Sequence, residues 1–279
     1  MMKKLLVIMS ILAFGVYANE TITIAATKYP HAQILEEIKP DLAKQGYDLK
    51  IIEYSNYKDP GIVTERGAPK AQSPNDVVYK GKIDANFFQH QPYLDAFNKG
   101  KKKPLVPIAK VLFAPLGIYA NKDTQRKFID SKNINDLSNP VIGIPSDPTN
   151  NARALKFLDA AGVIVLKMSK KPATVKDIIS NPHEAKIVAI DPSVLPKLLK
   201  EDKIDLAVIN AGFALKNGLS LEHDAVILEK QNDVYSNIVA VRPDEVDEPK
   251  IKALAKAINS PQVRDYIEKE YQGALIPSF

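Results

Sequence analysis

Arg153 lies just inside the start of a predicted helix and is suited to binding a carboxylate. The segment Ile144–Asn150 passes from an apolar strand into that helix, and either Asp147 or Thr149 can cap its first turn. Free N–H groups and the helix dipole attract an anion to such an end, and an arginine fork binds a carboxylate bidentately. We predict a carboxylate site formed by Asn150 and Arg153. The alternative is that Arg153 is a solvated surface residue, as most helical arginines are.

Two asparagines lie at the ends of apolar strands. Asn210 ends the strand Leu206–Asn210, and Asn237 opens a strand that continues through Val241. An amide oxygen in this position accepts a hydrogen bond from a ligand ammonium, although an asparagine there equally often bonds only its own turn. Together with the carboxylate site, the two oxygens predict a pocket for a zwitterionic α-amino acid.

An aromatic and polar run, Asn86–Tyr93, supplies side chains for an apolar slot beside these polar groups. Strand alternation places Phe88 and His90 on one face of the chain. The candidates for the wall of the slot are Phe88, His90, Tyr93, Tyr57 and Phe113. The alternative is that the phenylalanines belong to the core and that His90 is a structural histidine with satisfied hydrogen bonds.

No sequence motif of a known nucleophile, nucleotide-binding loop or metal cluster accompanies these residues. The 279 residues include no cysteine, and the four histidines are widely separated. Thiol and disulfide chemistry and cysteine-based metal sites are therefore excluded, and a zinc site has no local support. The net charge of +5 is too small for the dense basic patch of a nucleic-acid-binding protein. We expect a binding protein and not an enzyme, with no cofactor, no metal and no nucleic-acid partner.

The first 18 residues have the pattern of a cleavable secretory signal peptide. Lys3 and Lys4 precede the apolar run Leu5–Val16, and small residues at Val16 and Ala18 prepare a cleavage site. The run is too short for a membrane-spanning helix of about 20 residues, which disfavours a retained anchor. We expect cleavage after Ala18 and an exported mature chain.

The remaining chain alternates strands and helices, which predicts an α/β protein with mixed, mostly parallel sheets and helices on both faces. Its length suggests two lobes with a ligand cleft between them, because ligands of such folds bind beyond the carboxyl ends of strands. The predicted lobes are 19–115 with 240–279, and 116–239. The chain is expected to cross between them near Phe113–Gly117 and again near Asn237–Arg242. The Gly- and Pro-rich segment Lys58–Asn75 is expected to be a loop or flap.

Together, these segments resemble the NlpA-type family of substrate-binding proteins, the methionine-binding components of ABC importers. The resemblance rests on the segments Ile83–Leu94, Pro145–Arg153, Ala207–Asn210 and Tyr235–Asn237. It implies a two-lobed periplasmic-binding-protein fold of type II-like arrangement, whose lobes close about a hinge.

The resemblance also implies roles for the candidate residues. Arg153 would hold the ligand carboxylate, while Asn210 and Asn237 would hold the polar backbone of the ligand. The residues that would surround the ligand side chain are Phe88, His90, Tyr93 and Tyr57.

Partners and location follow from the same resemblance. The implied ligand is L-methionine or a closely related amino acid, and the implied partners are a transporter permease and its ATPase. Family members usually begin at a lipidated cysteine, whereas Asn19 stands at the predicted start here. We therefore expect a monomeric, freely diffusing periplasmic protein without a lipid anchor. The alternatives are a binder of another amino acid or of a methionine-containing dipeptide, an exported enzyme, and a surface interaction protein.

Overall fold

The computed structural model describes residues 19–57, 72–125, 138–169 and 171–279. The predicted signal peptide, residues 1–18, lies outside the described residues, as does most of the predicted loop Lys58–Asn75. The last residues of that loop begin a short helix, which Ser73 caps by accepting a hydrogen bond from the Asp76 backbone N–H. No helix within the described ranges is long and apolar enough to span a bilayer.

Strands and helices alternate along the described chain, as the sequence predicts. The strands are β1 Glu20–Thr27, β2 Tyr47–Tyr54, β3 Ala85–His90, β4 Val106–Phe113, β5 Leu116–Ala120, β6 Val141–Pro145, β7 Val165–Leu166, β8 Ile178–Ser180, β9 Lys186–Ile190, β10 Leu206–Asn210, β11 Ala225–Leu228, β12 Ser236–Val241 and β13 Ile276–Pro277. The α-helices are α1 Gln33–Lys44, α2 Pro74–Tyr79, α3 Gln91–Asn98, α4 Pro148–Ala160, α5 Leu195–Lys200, α6 Ala211–Lys216, α7 Pro249–Ile258 and α8 Pro261–Tyr271.

The strands form two mixed sheets and a small ribbon of β7 and β8. The first sheet has the order β13-β4-β12-β3-β1-β2, and the second has the order β11-β5-β10-β6-β9. Parallel pairing is confined to β3-β1-β2 in the first sheet and to β10-β6-β9 in the second. The other halves are antiparallel, because they contain β4, β5 and β12, the strands through which the chain leaves one sheet and returns. The α/β class and the mixed sheets are confirmed, whereas the expectation of mostly parallel sheets is wrong, because parallel pairing occupies only one half of each sheet.

The chain passes between the two sheets through 114–115, which joins β4 to β5, and through 229–235, which joins β11 to β12. We call these stretches the outward and the return segment. The return segment lies earlier than the predicted crossing near Asn237–Arg242, because β12 pairs along its whole length within the first sheet. All six residues of β12 are buried, so its sequence lacks the polar alternation that marks where a half-exposed strand begins. Residues 236–239 therefore belong with the first sheet and not with the second.

Helices cover both faces of each sheet. In β1, Ile22 and Ile24 pack in a core with α1, α7 and α8, whereas Ala25 points to the other face, where Val78 of α2 and Leu94 of α3 lie. The same alternation in β10 places one side against α4 and the other against α5 and α6. The carboxyl ends of β3, β6 and β10 lead directly into α3, α4 and α6, so residues at these junctions face the space between the sheets.

Candidate functional site

A cleft lies between the two sheets, and its empty space, counted together with the open solvent at its mouth, amounts to about 700 Å³. It is lined by Thr27, Lys28, Tyr29, Pro30, His31, Ser55, Tyr57, Phe88, Gln89, His90, Tyr93, Ala114, Asn150, Arg153, Asn210, Ala211, Gly212, Phe213, Lys216 and Asn237. Eight of the nine predicted site residues line it. Phe113 does not, because its ring packs beneath the guanidinium of Arg153, with 5.6 Å between the ring centroid and Cζ.

Arg153 projects from the second turn of α4 and is only 2 % exposed. Its Nε donates to the two carboxylate oxygens of Glu229 at 2.9 and 3.1 Å, and its Nη2 donates to Glu229 and to the Ala114 carbonyl. The Tyr235 ring lies over the guanidinium, 4.3 Å from Cζ. Arg153 is therefore a fixed, buried cation, which excludes the interpretation that it is a solvated surface residue.

Asp147 caps α4 and ties the two sheets together. Its Oδ1 accepts from the Asn150 backbone N–H at 2.9 Å, so Asp147 and not Thr149 is the cap. Its Oδ2 accepts from the Tyr57 hydroxyl at 2.8 Å, and Tyr57 follows β2 of the first sheet. Burial and the neighbouring Asp147 charge raise the pKa of the Tyr57 hydroxyl, so Tyr57 keeps its proton and donates. This bond spans the cleft.

His90 is a neutral imidazole, and its hydrogen bond to Asn150 also crosses the cleft. Its Nδ1 accepts from the Tyr93 backbone N–H at 3.2 Å and so caps α3. Nε2 must then carry the ring proton, which it donates to Asn150 Oδ1 at 3.1 Å. Burial, with a smaller contribution from the positive charge of Arg153, lowers the pKa of His90 to about 4.

Asn210 is the asparagine with a free acceptor. Its Nδ2 donates to Asn150 Oδ1 at 3.1 Å, while its Oδ1 is buried and has no hydrogen-bond partner among the described residues. A buried acceptor without a donor costs about 1–3 kcal/mol, so a ligand donor at this atom is stabilising.

Asn237 forms a hydrogen bond with His31, a residue that the sequence analysis does not predict to be in the site. His31 Nε2 donates to Asn237 Oδ1 at 2.6 Å, and His31 Nδ1 lies 2.6 Å from the Thr27 hydroxyl, which donates to it. Burial lowers the pKa of His31 to about 4, which keeps the ring neutral. Asn237 Oδ1 thus already accepts one bond from the protein, whereas the sequence predicts that it serves a ligand ammonium directly.

Aromatic rings form the rest of the wall. The Tyr57 and Tyr93 rings meet edge to face with 5.5 Å between centroids, and the Phe88 and Tyr93 rings do so at 5.8 Å. Phe213 of α6 completes the wall, 5.5 Å from Tyr57. Phe213 was missed from the sequence, although its position three residues after Asn210 was the available signal. No group of metal-ligating side chains occurs among the residues described by the structure.

Comparison with known proteins extends these observations. The family model described as NlpA lipoprotein matches residues 22–279. The methionine-binding lipoprotein MetQ of Bacillus subtilis (strain 168) is 34% identical over 93% of this chain and 88% of its own length. The solved structure of a nutrient-binding protein from Burkholderia cenocepacia bound to methionine is 33% identical with a TM-score of 0.79, covering 92% of this chain and 100% of that one. A periplasmic substrate-binding protein of an ABC transporter from Coxiella burnetii is 35% identical with a TM-score of 0.79, covering 92% and 100%.

The comparisons contradict the prediction of a protein without a lipid anchor. The matching family and the Bacillus subtilis relative are both named as lipoproteins, that is, as proteins that carry an anchor. The prediction rested on the absence of cysteine and on Asn19 at the predicted start, and the lipoprotein naming of the family and of this relative overturns it. The resemblance drawn from the four sequence segments is confirmed.

Proposed function

Since this chain belongs to the NlpA lipoprotein family, we propose that it captures L-methionine or a closely related amino acid and delivers it to an ABC transporter permease. The structural neighbours include one bound to methionine and one named as a substrate-binding protein of an ABC transporter, which agrees with this proposal. Proteins of this kind bind and release their substrates unchanged, so we do not propose an enzyme.

The single observation that carries the proposal is that one cavity holds both Arg153 and the unpartnered Oδ1 of Asn210. The guanidinium provides donors for a carboxylate, and the amide oxygen provides an acceptor for an ammonium. An α-amino acid carries both groups on adjacent carbons. The roles of the site residues are proposals: Arg153 for the carboxylate, Asn210 for the ammonium, and Asn237 and Asn150 as supports.

The aromatic wall accounts for the ligand side chain. Phe88, Tyr93, Tyr57 and Phe213 line the cavity with aromatic rings that contact one another. Burying a methionine side chain contributes about 1.5–3 kcal/mol, and a thioether beside aromatic rings adds about 0.3–1.5 kcal/mol. A long, unbranched, apolar side chain is therefore the best match.

Capture requires the two lobes to close. We propose lobes of 19–115 with 236–279, and 116–235, hinged at the outward and return segments. The bonds Tyr57–Asp147 and His90–Asn150 connect residues of the two proposed lobes across the cleft, and we propose that they stabilise the closed form. A permease and its ATPase would then recognise the closed, monomeric form.

The ligand itself is the first test. Protein purified without added amino acid is denatured, and the released small molecules are identified by mass spectrometry. Release of methionine or a near relative supports the proposal. Protein that releases no amino acid, and then shows no calorimetric heat with L-methionine, other amino acids or glycyl-methionine, refutes it.

Asn210→Ala is the matching variant, because it removes the free acceptor without leaving a charge unpaired. A hydrogen bond to a charged group contributes about 1.5–3 kcal/mol, so we expect a roughly 10- to 100-fold rise in Kd for L-methionine. Asn217→Ala is the control: Asn217 lies just after α6 and outside the cavity lining, and its side chain donates to the Phe213 carbonyl. Equal affinity in the two variants would show that Asn210 does not bind the ligand.

A further inference from the structure

Glu229 is the buried partner of Arg153, and nothing in the sequence pattern marks it. Its carboxylate is 12 % exposed and receives hydrogen bonds from both Nε and Nη2 of Arg153. It also accepts from the Leu116 backbone N–H at 2.9 Å, and its own backbone N–H donates to the Leu116 carbonyl at 2.9 Å. Glu229 is thereby fixed through both its side chain and its main chain.

This pairing determines which part of Arg153 is available to a ligand. Nε and Nη2 are occupied by Glu229 and the Ala114 carbonyl, whereas no hydrogen bond of the described residues uses Nη1. The Tyr235 ring covers one face of the guanidinium and Phe113 lies below it. The guanidinium is therefore held in one orientation.

The same pairing determines the net charge that a ligand meets. Arg153 and Glu229 together are neutral, and Asp147 adds a further buried carboxylate. The other cations lining the cavity, Lys28 and Lys216, are exposed, so solvent and salt screen their fields. A carboxylate without an ammonium would leave an uncompensated negative charge in a buried site, which is costly. A zwitterion brings its own ammonium and therefore adds no net charge to the site.

We propose that Glu229 is a positioning residue that makes this site selective for zwitterionic amino acids over carboxylates that lack an ammonium. The proposal rests on the proposed function, because it concerns the head group of the same ligand. It assigns the selection to the charge of Glu229, which cancels that of Arg153, and not only to the acceptor of Asn210.

Glu229→Gln tests this by calorimetry with two probes, L-methionine and 4-(methylthio)butanoate, which lacks only the amino group. The wild type should bind L-methionine at least tenfold more tightly than the des-amino acid. In Glu229→Gln the charge of Arg153 is uncompensated, so the ratio of the two Kd values should fall at least tenfold. Glu229→Asp keeps the charge and should keep the ratio within about threefold. A purely structural role would raise both Kd values by the same factor and leave the ratio unchanged.

Glu245→Gln is the matched control. Glu245 forms a comparable, mostly buried ion pair with Arg242, which also donates to the carbonyls of Val78 and Ile83, and neither residue lines the cavity. The control should lose stability without changing the Kd ratio. An unchanged ratio in folded Glu229→Gln overturns the inference and leaves methionine binding intact. A wild type that binds neither probe refutes the proposed function and the inference with it.

A measurement on the wild type decides the question if Glu229→Gln does not fold. The Arg153 Nε–H resonance, assigned by its loss in Arg153→Lys, should be slow to exchange with solvent both without and with L-methionine, because Glu229 holds it in either state. A resonance that exchanges rapidly in the free protein and is protected only when ligand binds would overturn the inference.

Discussion

His31 and His90 should make the protein labile to acid in a defined pH range. Burial lowers the pKa of each imidazole to about 4, from an ordinary value of 6.5. Between these values the unfolded chain binds a proton on each ring and the folded protein does not. The free energy of unfolding therefore falls as the pH falls from about 6.5 to about 4, and is regained as the pH rises.

The size of the effect follows from the same two values. A difference of one pKa unit corresponds to about 1.36 kcal/mol, so each histidine accounts for somewhat more than about 3 kcal/mol across this range and the pair for about 7 kcal/mol. Domains have a total stability of about 5–15 kcal/mol. The loss of free energy of unfolding from these two rings is therefore comparable to the total stability of a domain near pH 4.

His90→Asn isolates one of the two contributions. Asparagine is a good helix cap, so the cap of α3 is kept while the titrating group is removed. Urea unfolding at several pH values should give a free energy that falls less steeply between about pH 6 and 4.5 than in the wild type, by about 1 kcal/mol per pH unit. The control is His223→Gln, which removes a histidine whose side chain is mostly exposed.

The slope, and not the stability at one pH, is the deciding quantity. The variant also loses the bond from His90 to Asn150, which lowers its stability at every pH by a similar amount. Equal slopes for His90→Asn and the wild type would mean that His90 is protonated in the folded protein near its usual pKa. The assignment of a neutral ring donating through Nε2 would then be refuted.

Three further predictions concern closure and the core. A Cβ on Gly212 would lie 2.6 Å from the Tyr29 carbonyl oxygen, so Gly212→Ala should hold the cleft open. The variant should raise the Kd for L-methionine and the radius of gyration measured by X-ray scattering. Unchanged values would show that closure does not need the close contact between Gly212 and Tyr29. Tyr57→Phe removes the bond to Asp147 across the cleft and should lower the urea-derived unfolding free energy by about 1–3 kcal/mol, and a neutral result would mean that water replaces the hydroxyl. Leu42→Ala in the buried face of α1 should cost about 2–5 kcal/mol in the same assay while leaving the Kd of the folded fraction unchanged, with exposed Lys44→Ala as its control.

The parts of the site that local sequence could predict are those whose chemistry depends on neighbours in the chain. Asp147 caps the helix that begins at the next residue by accepting a hydrogen bond from the N–H three residues ahead. Arg153 lies about one turn after Asn150, on the same face of that helix. The strand that ends at Asn210 is apolar and continuous, so its terminal amide is conspicuous in the sequence. These features need no knowledge of the tertiary fold.

The residues that were missed depend on contacts between distant parts of the chain. His31 bonds Asn237 across 206 positions, and Glu229 pairs with Arg153 across 76 positions. Glu229 opens the polar run Glu-Lys-Gln-Asn-Asp, which is indistinguishable in sequence from a solvated loop. Only the return of the chain from the second sheet to the first buries its carboxylate. The sheet to which residues 236–239 belong could not be predicted for the same reason, because the membership of β12 depends on pairing and not on composition.

The specificity of the cleft follows from how few polar atoms remain unsatisfied in it. Tyr57 donates its hydrogen bond to Asp147, His90 donates to Asn150, and His31 donates to Asn237. Both histidines are neutral above about pH 4, because burial lowers the pKa of each to about 4. Among the described residues that line the cavity, the buried acceptor that remains is Asn210 Oδ1, and the donor left on the paired guanidinium is Nη1 of Arg153. One acceptor and one donor group match an ammonium and a carboxylate. A second polar group on the ligand side chain would find aromatic rings instead, and would lose its bonds to water without replacement. The proposed selection of an apolar α-amino acid therefore rests on the fact that the other polar groups named here already have partners in the protein.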